Sequence, residues 1–181
     1  MVFSGLPFLF FFLPLTLAVY FLVPLRFKKA VLFIFSIIFY AWGEPVYVFL
    51  MLISIAVNYI FALINKKWTL IISIVYNLSA LAVFKYSGLI AETITGLTGV
   101  YVPKPDLALP IGISFYTFQA MSYVIDVYRG DVRAAKNPVD FGAYLTMFPQ
   151  LIAGPIVRYK TIEEELKAPD ISPEGFSEGI S

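Results

Sequence analysis

The 181 residues are 60% hydrophobic and 14% charged, with a mean hydropathy of +0.83, which is more apolar than a water-facing domain sustains. A net charge of +1 and the lack of a basic run interleaved with aromatics exclude nucleic acid as a partner. Cysteine and histidine are both absent, which removes disulfides, thiolate nucleophiles, the usual metal ligands and the commonest general base, so no metal and no bound cofactor is expected.

Charged residues are segregated, leaving uncharged runs at 1–25, 30–43, 45–65, 68–84, 107–125 and 141–157. The runs are continuously apolar and do not alternate, which predicts helices and excludes a β-barrel. A helix crossing the hydrocarbon needs about 20 mainly apolar residues, with a usable range of about 17–25. The expected fold class is all-α. It is a polytopic helical membrane protein with about five transmembrane helices and a Pro-broken or re-entrant sixth element, set in a larger bundle. Residues 1–158 form the membrane region and residues 159–181 a cytoplasmic tail with the start of a further helix.

The first run opens MVFSGLPFLFFFLPL, without a basic leader or a small-residue cleavage site, and is expected to be a retained span. Arg26, Phe27, Lys28 and Lys29 separate it from the short run at 30–43, which crosses if Lys28 and Lys29 snorkel and Tyr40 and Trp42 sit at the opposite interface. A tight connection at Gly43, Glu44 and Pro45 leads to the third run, and Asn65, Lys66, Lys67 and Trp68 join the third to the fourth. Both basic clusters fall on one side, which the positive-inside rule makes cytoplasmic, so the N-terminus is expected to be extracytoplasmic.

The fourth span is expected to emerge at Lys85 and Tyr86, followed by a Gly-, Thr- and Pro-rich loop as far as Asp106. Span five starts near Pro110, where a missing N–H is harmless, and returns at Arg129, Arg133 and Lys136. The sixth run carries Pro149 in its middle and Gly154-Pro155 near its end. A full crossing divides the basic residues eight inside and five outside, whereas a turn back at Pro149 divides them eleven and two, which favours a re-entrant element. Beyond Tyr159 the tail is polar; Glu163 to Glu165 read as a solvated face, and Ser172-Pro173 as a helix start. That start is uncapped at Ser181, so the chain is expected to be part of a longer one.

Two constellations carry candidate chemistry. In span five Gln119, Ser122, Asp126 and Arg129 recur at steps of three, four and three, a single helical stripe with Arg129 as the partner of Asp126. The same stripe reads structurally as an interfacial Asp–Arg anchor with Gln119 and Ser122 as interhelical hydrogen bonds. Gln150 and Arg158, beside the breaks at Pro149 and Gly154-Pro155, are suited to an anionic or carbonyl group, or else belong to a kinked helix with an interfacial arginine. Asn58 and Asn77 read as packing groups, and Trp42, Trp68 and many of the tyrosines as an aromatic belt. No P-loop, GxGxxG, HExxH or paired-carboxylate arrangement is present.

Three stretches carry a resemblance: FYAWGEP at 39–45, LPIGISFYTFQAMSYVIDVYRG at 109–130 and FPQLIAGPIVRY at 148–159. In this order they resemble the N-terminal half of the membrane-bound O-acyltransferase (MBOAT) family, and within it the bacterial branch that acetylates alginate. The resemblance implies a multi-pass enzyme of the bacterial inner membrane. A pinched tunnel would pass an acetyl group from a cytoplasmic donor of the acyl-CoA or acyl carrier protein type to hydroxyls of an extracytoplasmic polysaccharide, with a periplasmic partner protein. It also implies a later histidine that this chain lacks, so no catalytic residue carries over. The chain alone is expected to be inactive, with Gln119, Ser122, Asp126, Arg129, Gln150 and Arg158 lining or supporting the tunnel. A second reading of the residues is a transporter or polysaccharide-export subunit, since transporters build midplane sites from a broken element beside a polar helix, and a third is a non-catalytic membrane scaffold.

Overall fold

A computed structural model describes residues 5–99, 101, 103, 108–148 and 158–162. Among these residues the secondary structure is helical, without strands, as the continuously apolar runs predicted. A π-helical turn at Phe8–Phe12 leads into α1 (Leu13–Leu22), followed by α2 (Leu25–Gly43), α3 (Tyr47–Ile64), α4 (Lys67–Thr98), α5 (Ile113–Arg129) and α6 (Pro138–Thr146). The wide π turn falls where Pro14 removes an N–H and its ring crowds the carbonyl of Phe10. Val23, which precedes Pro24, is forced into an extended conformation, and α1 stops there.

Helix α2 begins before the basic cluster, so Arg26, Lys28 and Lys29 ride on its first turns and do not form a connecting loop. Its 19 residues extend about 28 Å at 1.5 Å per residue, close to the roughly 30 Å of a hydrocarbon core. The expected tight turn at Gly43–Pro45 is present, with the Glu44 N–H bonded to the Tyr40 carbonyl. The α3–α4 connection is equally short, and Asn65 adopts the left-handed conformation at φ 48° that ends α3.

The outer loop expected from Lys85 differs from the structure. Helix α4 runs on to Thr98 and ends at Gly99, φ 70°. Charge and glycine marked this stretch as loop, but the hydroxyls of Thr93, Thr95 and Thr98 bond back to the carbonyls four residues earlier, and Leu89, Ile90, Ile94 and Leu97 keep it apolar. Helices α3 and α4 are long and apolar enough to cross a membrane; α1, α2 and α5 are shorter or carry more charge.

Helix α5 matches the expected fifth element. Gly112 and Gly130, both at positive φ, bracket it, and the bonds Gly130 N–H to Val127 O and Asp131 N–H to Asp126 O close a Schellman end. Helix α6 starts on the Asn137 side chain, which accepts from the Asp140 N–H at 2.8 Å, with Pro138 as its first residue. It lasts 9 residues, about 14 Å, and breaks at Met147, ahead of Pro149. The sixth run is therefore interrupted at Met147, two residues before the proline at which the break was expected. The residues at which a turn back was expected, Pro149 to Val157, lie outside the described set, as do Glu163 to Ser181.

Helix α6 packs against α2, α3 and α5, and α4 against α3 and α5. Its first turn is tied to that of α2 by Lys29 and Asp140, 3.4 Å apart, so the two helices start at the same end. Gly142 then lets Phe33 of α2 close in: a Cβ there would meet that ring at 2.6 Å. Phe148 joins Phe8, Phe12 and Phe39 in an aromatic cluster with ring centroids 5.4–5.7 Å apart.

Candidate functional site

The stripe on α5 is divided. Gln119 and Asp126 are 2% and 5% exposed, Ser122 is half-buried and Arg129 is exposed. Steps of three, four and three lag the 3.6-residue turn, so Ser122 and Arg129 sit about 60–80° round from Gln119, off the arc that meets the neighbouring helices. The expected Asp126–Arg129 ion pair does not form among the described residues: Arg129 is exposed, while Asp126 is buried on the inner side of α5.

The inner arc of α5 is more polar than its hydropathy suggested, because tyrosines belong to it. Tyr116 and Tyr123 are buried two turns apart, and with Gln119 and Asp126 they lay a polar line over ten residues, about 15 Å. Tyr40 of α2 and Tyr144 of α6 are buried against the same line, and so is Tyr159. These five residues correct the expected aromatic belt, which Trp42 and Trp68, both exposed, still fit. Spacing alone could have shown this for Tyr116 and Tyr123, which lie about 40–60° round from Gln119 on the side away from Ser122 and Arg129.

At the Asp126 end the rings form a box. Tyr123 stacks on Phe141 at 4.4 Å between centroids and meets Tyr159 edge-on at 4.9 Å; Tyr159 in turn meets Tyr144 at 5.2 Å. The Tyr123 hydroxyl also accepts the Ala135 N–H at 2.8 Å, which pins the α5–α6 connection. At the other end Tyr40 and Tyr116 are buried in the same core cluster. Their hydroxyls, and that of Ser36 one turn before Tyr40, have no hydrogen-bond partner among the described residues. Buried hydroxyls left open in this way call for a polar guest or water.

Asn58 and Asn77 are occupied elsewhere. Asn77 Nδ2 donates to Asn58 Oδ1 at 2.7 Å, Asn58 Nδ2 returns the bond at 3.3 Å, and the Ser73 hydroxyl donates to Asn58 Oδ1 at 2.8 Å. The expected packing role holds, as a clasp between α3 and α4. Arg158 is exposed, although Tyr159 beside it anchors in the aromatic box. Gln150 lies outside the described residues. Among those residues no three of His, Cys, Asp and Glu gather as a metal would require.

The proteins this chain matches acetylate polysaccharides by name. It is 37% identical to the probable alginate O-acetylase of Pseudomonas aeruginosa and 36% identical to that of Azotobacter vinelandii, over 100% of this chain and 37% and 39% of theirs. The resemblance to O-acetylases is borne out. A peptidoglycan O-acetyltransferase of Helicobacter pylori is 29% identical over 88% of the chain and 37% of its own length. The chain thus spans less than half the length of the curated relatives it matches. No family model matches the chain, and neither does any solved structure.

Proposed function

We propose that this chain is the wall-forming part of a membrane-bound O-acyltransferase of the bacterial cytoplasmic membrane, which hands an acetyl group to hydroxyls of an extracytoplasmic polysaccharide such as alginate. The observation that carries this reading is 37% identity to an alginate O-acetylase along the whole of this chain and 37% of the relative, in a chain whose α5 buries Gln119, Asp126 and two tyrosines. In this account α1 to α5 cross the bilayer with the N-terminus outside, and α6 is the half-length arm of a re-entrant element. Irregular backbone at membrane depth is tolerated where it lines a cavity, and the broken sixth run supplies such a place beside Asp126 and Tyr144.

The chemistry follows from what the wall offers. Phenol, amide and carboxylate groups held at fixed positions in a low-dielectric interior orient a carbonyl or hydroxyl without reorganising. Asp126 is a positioning residue here, and Gln119 and Tyr116 continue the path towards the outer end. Gln150 and Arg158 are assigned to the same path. The acid–base histidine on which the family relies is supplied outside these 181 residues, which contain none. The donor is an acyl-CoA or acyl carrier protein, and a periplasmic protein assists delivery to the polymer.

The alternative, a transporter or polysaccharide-export subunit, draws on the half-helix α6, since transporters build midplane sites from broken helices. Complementation separates the two. The full-length protein, expressed in a strain lacking its alginate O-acetylase, is expected to restore polymer acetylation; polymer exported at normal yield but without acetyl groups would overturn the acetyltransferase reading.

A further inference from the structure

Along the first helix a groove of about 390 Å³ opens, lined by Leu9, Leu13, Leu17 and Tyr20, by Leu32 of α2 and by Met147 beyond α6. That volume lies within the range of small-molecule sites, roughly 300–1,000 Å³. Its lining recurs at helical spacing from Leu9 to Tyr20, so the groove follows the helix for about 16 Å. Thr16 adds no free donor, because its hydroxyl bonds to the Phe12 carbonyl at 2.7 Å. Only an extended apolar chain suits such a slot.

The Tyr20 end is different. Lys28 lies one turn before Leu32 on α2 and is only 6% exposed; its ammonium stands 4.5 Å from the Tyr20 ring centroid and 5.7 Å from that of Phe21. Among the described residues no carboxylate pairs with it: Asp140 is taken by Lys29, and Arg26 rests on Phe27. Aromatic faces attract the ammonium without neutralising it, which leaves the charge open to an anion. An apolar slot ending at an unpaired cation on a largely buried side chain, on the basic side of the molecule, has the form of one ligand class.

We propose that the groove holds an acyl chain of an anionic phospholipid whose phosphate pairs with Lys28. The inference requires only that the helices lie in a bilayer, and it stands whether or not the protein transfers acetyl groups. The structural consequence is that lipid fastens α1 onto α2 and the end of α6.

The test is native mass spectrometry of the detergent-purified full-length protein, offered phosphatidylglycerol and phosphatidylcholine with identical chains. One retained lipid is expected, with phosphatidylglycerol favoured about five-fold, the size one basic residue gives at an anionic headgroup. Lys28→Gln should level that preference while Lys28→Arg keeps it, and Leu17→Trp should abolish retention of both lipids. Thermal unfolding of each variant confirms that it is folded, and the folded arginine variant separates loss of charge from loss of structure. Retention of neither lipid by the parent protein, as when another segment of the chain fills the groove, would overturn the proposal. So would equal retention of the two lipids, a preference that survives Lys28→Gln, or retention unchanged in Leu17→Trp.

Discussion

Single residues decide how closely these helices approach. Gly142 has no room for a methyl group against Phe33, so Gly142→Ala should destabilise the protein by about 1–3 kcal/mol, the usual cost of overpacking. Thermal unfolding in detergent measures it, and adding Phe33→Leu should recover most of the loss; an unchanged midpoint for Gly142→Ala would show that the α2–α6 contact is looser than described. The Asn58–Asn77 clasp predicts a similar effect by another route. Asn58→Ala leaves the Asn77 amide and the Ser73 hydroxyl short of partners, at a cost of about 1–2 kcal/mol. A second substitution, Asn77→Ala, should then cost much less than it does alone. At this scale the sequence displayed the asparagines and the stripe but hid the tyrosines, since hydropathy scores a phenol as interfacial wherever it sits. It also overstated the stripe: residue spacing placed Arg129 with Asp126, but Asp126 is buried and Arg129 is exposed.

At the scale of elements, breaks were easier to read than lengths. Proline marked the turn at Gly43–Pro45 because it restricts helix directly, while the paired lysines at Lys66 and Lys67 marked the α3–α4 turn only by interrupting the apolar run. The continuation of α4 to Thr98 was hidden, because glycine and threonine carry poor helix propensity and the local hydroxyl bonds that offset it leave no pattern in hydropathy. Its 32 residues measure about 48 Å, well beyond a hydrocarbon core of roughly 30 Å, so its last turns should stand clear of the membrane. The chain has no cysteine, which makes single-cysteine labelling clean. In whole cells Leu97→Cys, at an exposed position, is expected to react with an impermeant maleimide, while Val75→Cys, exposed on the apolar stretch of the same helix, should not. Protection of both would place the end of α4 inside the bilayer or under another part of the protein. A cysteine replacing Val157 should likewise resist outside label if the sixth run turns back, and ready labelling would contradict that topology.

For the whole molecule, the sequence made an all-helical fold legible from its continuously apolar runs, and the three motifs led to the O-acetylase relationship that the comparisons bear out. What it did not reveal is how α6, only 9 residues long, becomes the centre of the packing, buried by three longer helices. That depends on tertiary fits such as Gly142 against Phe33 and the Tyr123–Phe141 stack, which no single segment encodes. The account's central claim is that the inner arc of α5 forms part of the path for acetyl transfer. The direct measurement is the O-acetyl content of polymer from a complemented strain, normalised to the amount of full-length protein in the membrane. Asp126→Asn should lower it by about ten- to a hundred-fold at unchanged protein level, the loss a misplaced positioning group brings, while Ser122→Ala and Arg129→Gln, off that arc, should stay within about two-fold of the parent by the same reasoning. Full acetylation by Asp126→Asn at a normal protein level would contradict the claim.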